Sequence, residues 1–94
     1  MELEFTAVAI EWRGPAPFVF LPVPPDESEM IREAAAELSY GWGVIPVAAS
    51  IGDTDFTTSL FPRAGAYLLP IKVAVQRAEG VGVGDELSVR MRLG

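Results

Sequence analysis

Apolar and polar residues alternate along the first positions of the chain. Leu3, Phe5, Ala7 and Ala9 fall on one phase; Glu2, Glu4, Thr6 and Val8 fall on the other. A period of two places successive side chains on opposite faces of a strand, so the pattern predicts a strand over about 2–12. Arg13 to Pro17, with Gly14 and Pro15, breaks it. The apolar run Phe18 to Leu21 predicts a second short strand, ended by Pro22, Pro24 and Pro25.

The period then changes. Met30, Ile31, Ala34, Ala35 and Leu38 recur at helical spacing, opposite Glu29, Arg32, Glu33 and Glu37. This predicts an amphipathic helix over about 26–38, with a solvated charged face. Asp26 suits the N-cap, and Glu29 three residues on completes a capping box.

Strand patterns return over 44–51 and 55–61, joined as a hairpin through Gly52-Asp53-Thr54. Pro46 marks an edge or a bulge. A turn at 62–65 leads to a strand over 66–69, and Ile71, Ala74, Val75 and Ala78 fit a short helix over about 71–78. The last segment alternates cleanly, with Leu87, Val89, Met91 and Leu93 inward and Glu86, Ser88, Arg90 and Arg92 outward. The chain therefore reads as mainly β, with about six short strands and one or two short helices in a single domain over 1–94. Closure of so short a sheet removes its edges, so a small closed β-barrel is expected.

Composition narrows the function classes. Half of the 94 residues are hydrophobic, which argues for a packed core rather than disorder. Seven basic against thirteen acidic residues give a net charge of −6, a poor footprint for nucleic acid or an anionic membrane. The chain has no cysteine and no histidine. Thiol nucleophiles, Ser-His dyads, disulfides and zinc sites of the usual kind are excluded, and neither metal nor cofactor is expected. No basic leader precedes an apolar core, and no apolar run approaches the ~20 residues of a membrane helix. No membrane association and a cytoplasmic location are expected.

The glycine-rich stretch EGVGVGDELSV, residues 79–89, invites a nucleotide reading. A phosphate loop follows a strand and opens a helix. This stretch does the reverse, and Asp85 and Glu86 stand where the phosphate would sit. It reads as a turn in which glycine supplies positive φ and Asp85 caps through its side chain. Asp53 and Asp55 flank Thr54, but they lack the run of oxygen ligands of a Ca²⁺ loop and read as turn residues.

Three stretches carry a resemblance: GWGVIPVAASIG (41–52), TTSLFPRAGAYLLPIKVAVQRAEG (57–80) and GDELSVRMRL (84–93). With the Phe-Val-x-Leu-Pro run at 18–22, the ordered set resembles the bacterial and archaeal family known as domain of unknown function 1905. The resemblance implies a double-split β-barrel capped by short helices, a fold shared with AbrB- and MazE-like transcription factors. Fold alone does not transfer function, and the resemblance brings no catalytic residues. Gln76 stands where members often carry Arg.

Four residues form the candidate ligand site: Trp42 between two glycines as a platform, and Arg63, Tyr67 and Lys72 around one barrel end, where they could receive a carboxylate or phosphate. Thr57 and Ser59 share a strand face and could add hydroxyls. The expected function is a non-catalytic module that binds a small ligand or a protein. The alternatives are AbrB-like DNA binding, which needs Arg77, Arg90 and Arg92 on one face, and an enzyme using carboxylates with Lys72 or Tyr67, in which a lysine base needs burial. An apolar patch near Phe18 to Val23, or an exposed edge strand, would invite a homodimer.

Overall fold

The computed structural model describes residues 1–12, 18–38 (the side chains of 36–38 excepted) and 44–93. Seven strands and two helices follow in the order β1 (Glu2–Val8), β2 (Ile10–Trp12), β3 (Phe18–Pro22), α1 (Pro25–Leu38), β4 (Ile45–Ile51), β5 (Thr54–Arg63), β6 (Ala66–Pro70), α2 (Val73–Glu79) and β7 (Glu86–Leu93). All pairings are antiparallel, and the sheet order is β1-β7-β4-β5-β6-β3-β2.

The expected closed barrel of six strands is corrected by this order. The sheet is a curled half-barrel, and its two ends are consecutive pieces of the first strand. The strand predicted over 2–12 is present and its alternation holds as far as Ala9, but the strand changes partners there and Ile10–Trp12 are all exposed. Before Ala9 it pairs with β7, from Glu2↔Arg92 to Val8↔Glu86; after Ala9 it pairs with β3, from Ile10↔Phe20 to Trp12↔Phe18. Ala9 itself donates its N–H to the Asp85 carbonyl and accepts from the Gly84 N–H, both at 2.9 Å. A second strand divides in the same way. In β5, Thr54–Leu60 pair with β4, whereas Phe61–Arg63 pair with β6.

The inner face carries the core. Leu3, Phe5, Leu21, Ile45, Leu60, Leu69, Val89 and Leu93 are all buried there, and Ile31 of α1 and Val75 of α2 plug the concave side. The alternation of β7 is reproduced residue for residue, with Leu87, Val89, Met91 and Leu93 buried and their neighbours exposed. In α1 the predicted stripe is only partly right. Ile31 is buried and Ala34 and Ala35 are half-buried, but Met30 is exposed. The helix begins at Pro25, the first-turn position that tolerates a missing N–H. The buried Ser28 hydroxyl donates to the Val23 carbonyl at 3.0 Å, and Glu29 turns to Arg32 rather than back to the cap. Pro46 sits in a central strand, just before the β7 ladder begins at Val47, so its missing N–H interrupts no pairing on that side.

Turns follow local chemistry. Gly52 has φ 58 in the Gly52–Asp53 loop of the β4–β5 hairpin. The Ala64–Gly65 loop joins β5 to β6 with both residues at positive φ, 50 and 81, as a type I′ turn requires. An alanine held there costs roughly 1–2 kcal/mol, partly offset by its lower freedom in the unfolded chain. Ala64→Gly is therefore expected to stabilise the fold by about 0.5–1 kcal/mol. A urea titration checks this; a lower midpoint would show that the loop is not strained. The stretch at 80–85 is the expected turn. Gly80 ends α2 with φ 65, Gly84 has φ 91, and the Asp85 carboxylate accepts the Gly82 N–H at 2.8 Å.

Candidate functional site

The outward face of the β5-β6-β3-β2 half is apolar. Trp12 lies directly across from Phe18, Ile10 from Phe20, and Phe61 from Leu68. Directly opposed residues of an antiparallel pair share a face, and so do residues two apart. The rings form a chain: Trp12 to Phe20 at 6.3 Å and edge-on, Phe18 to Phe20 at 6.2 Å, and Phe20 to Phe61 at 6.2 Å and edge-on. These are favourable aromatic geometries. Phe20 is nearly covered by its neighbours, but Trp12 is 36% exposed, Phe18 57% and Phe61 44%. Arg63 lies over the Trp12 ring, its guanidinium carbon 3.5 Å from the centroid. Stacking uses the face of the guanidinium and leaves its N–H edge free to donate. No ion pair joins Arg63 to another described residue.

The four residues expected to form one ligand site are placed as follows. Trp42 lies outside the described residues. Tyr67 is buried in the core, and its carbonyl accepts the Val23 N–H at 2.9 Å. Arg63 belongs to the aromatic face. Lys72 is exposed and lines a groove with Pro46, Ala48, Thr57, Ser59, Phe61 and Arg92, together with the rims Val47 and Thr58. Arg63 does not line that groove, so Arg63 and Lys72 serve different surfaces. The patch foreseen near Phe18 to Val23 is present at Phe18 but not beyond, since Leu21 and Val23 are buried.

Trp12 and Phe61 were not among the expected site residues. The signal for them lies in the outward phase of each divided strand. In the first it runs Glu2, Glu4, Thr6 and then Val8, Ile10, Trp12; in β5 it runs Asp55, Thr57, Ser59 and then Phe61. Polar residues give way to apolar ones on the side that should meet water.

The other half presents a polar outward face. Glu2 stands across from Arg92 and Glu4 across from Arg90, so acids interleave with the cations that DNA binding would need. The enzyme alternative asked for burial of Lys72, which is exposed. Among the described residues no group of three or more acidic side chains could hold a metal ion, and Asp55 instead accepts the Ser50 hydroxyl at 2.6 Å. Among them, too, no helix is long and apolar enough to cross a membrane.

Fold and surface together define a small antiparallel half-barrel with one aromatic and one polar outward face. The chain belongs to the family described as domain of unknown function (DUF1905), whose model matches residues 5–91. No curated protein matches it.

Proposed function

We propose that this protein is a non-catalytic binding module whose aromatic face, Trp12, Phe18 and Phe61 with Arg63 at its rim, docks a short extended apolar segment of another protein that carries a carboxylate. The observation that carries this reading is the ring chain left open to solvent, with a stacked guanidinium at its edge. Exposed apolar patches mark interaction sites, and aromatic residues and arginine are favoured anchors. Area supports a segment over a second folded copy. The three exposed rings present roughly 250–300 Å², against about 800 Å² per partner in a stable interface. Charge supports an acid in that segment, because Arg63 has no ion-pair partner among the described residues.

The test uses two synthetic eight-residue peptides, one alternating Leu and Asp and one alternating Leu and Lys, titrated against tryptophan fluorescence and amide shifts. The Leu–Asp peptide is expected to bind, and both Trp12→Ala and Arg63→Ala to weaken it about tenfold, the size of one well-formed contact. Equal binding of the Leu–Lys peptide would remove Arg63 from the role. A concentration-dependent dimer abolished by Trp12→Ala would give the face to a second copy instead.

A further inference from the structure

The division of β5 leaves a gap in the sheet. Along Thr54–Leu60 the strand pairs on one side only, with β4. A strand paired on one side turns its remaining backbone groups to the other. The segment after β6 runs along that open side: α2 packs against β5, and the Thr54 hydroxyl donates to the Glu79 carboxylate at 2.6 Å, fastening the far end. Near the start of α2 an open depression of about 1000 Å³ lies across the outward faces of β5, β4 and β7, and Lys72 lines it from outside the sheet.

The lining of this groove differs from the rest of the molecule. Two cations, Lys72 and Arg92, line it; Thr57 and Ser59 bring hydroxyls on its face; Phe61 and Pro46 give it apolar walls; and no acid is among its lining residues. That is notable in a chain where acids outnumber bases thirteen to seven. No ion pair joins either cation to a described residue, although Glu2 stands across the ladder from Arg92. Two cations with no ion pair to a described residue, beside the hydroxyls of Thr57 and Ser59, match the needs of an oxyanion, which takes charge-assisted hydrogen bonds from both kinds of group.

We infer that this depression on the outward faces of β5, β4 and β7 binds the carboxylate or phosphate group of a small molecule through Lys72 and Arg92, with Thr57 and Ser59 as hydroxyl donors. The site lies apart from Trp12, Phe18 and Arg63 and shares only Phe61 with the aromatic face. Phe61 stands between the two and gives the ligand body an apolar wall.

The experiment is an amide-shift titration with inorganic phosphate and, separately, with succinate, at an ionic strength held constant with sodium chloride. Either anion is expected to saturate, with shifts centred on Thr57, Ser59, Phe61 and Lys72; which of them binds more tightly distinguishes phosphate from carboxylate recognition. Lys72→Ala and Arg92→Ala each weaken binding about tenfold. Glu2→Gln tightens it about threefold by removing the competing charge. Trp12→Ala leaves it unchanged, which separates this site from peptide docking. All of these side chains are exposed, so their spectra report folded variants. Shifts that never saturate, that track Arg32 and Arg77 as strongly as Lys72, or that persist in Lys72→Ala and Arg92→Ala would overturn the assignment.

Discussion

Leu21→Ala lowers the thermal midpoint of this domain by roughly 12–24 °C. Leu21 is fully buried, lies on the inward phase of β3 and stands across the ladder from Leu69, which is equally buried. Removing its branched end forfeits the transfer of those carbons from water and leaves a cavity. Such substitutions cost about 3 kcal/mol. A domain of this size shifts by about 4–8 °C per kcal/mol. The outward neighbour supplies the control. Phe18 lies on the opposite face of the same strand and is largely exposed, so Phe18→Ala moves the midpoint by only a few degrees. Calorimetry on both variants reads the difference. Equal shifts would mean that the two faces of β3 are misassigned, and the aromatic docking surface would fall with them.

Ala9→Leu destabilises by about 2 kcal/mol, the usual cost of forcing extra carbons into a packed site. Ala9 is 1% exposed at the point where the first strand leaves β7 and joins β3, and its N–H and carbonyl are both held by the 84–85 turn. The backbone cannot move outward to admit a larger side chain without releasing those bonds. Val8→Leu, one residue away and 48% exposed, should be nearly neutral. A urea titration with unchanged slope for both variants reports the contrast. If Ala9→Leu is as mild as Val8→Leu, the joint is loosely packed and the curl of the sheet does not depend on it.

These two positions also show how far the sequence could be read. Leu21 belongs to a four-residue apolar run that reads as a strand, though only the pairing with β6 shows which residues face inward. Ala9 is different. The strand runs through it without a glycine or a proline, and the one local sign of the change is the outward phase turning apolar at Val8, Ile10 and Trp12. Both halves keep the same phase, and only the identity of the neighbouring strand differs. The same holds in β5, where Leu60 pairs with β4 and Phe61 with β6. A six-strand closed barrel was the natural expectation because each divided strand reads as one.

The candidate sites follow this division. Lys72 and Arg63 were recognised as cations near one end of the fold, but the pairings send Arg63 onto Trp12 and Lys72 toward Arg92. Neither encounter has a local signal, since each joins residues far apart in the chain.

The sequence alone determined which residues alternate, where the period changes to that of a helix, and that the glycine-rich stretch at 80–85 is a turn. Those features arise from backbone geometry and steric preference within a few residues. The tertiary structure decided which strands lie side by side, that the sheet stays a half-barrel, and which charged and aromatic groups share a surface. Pairing between distant segments depends on how the whole set of apolar faces is buried at once, a condition no single stretch contains.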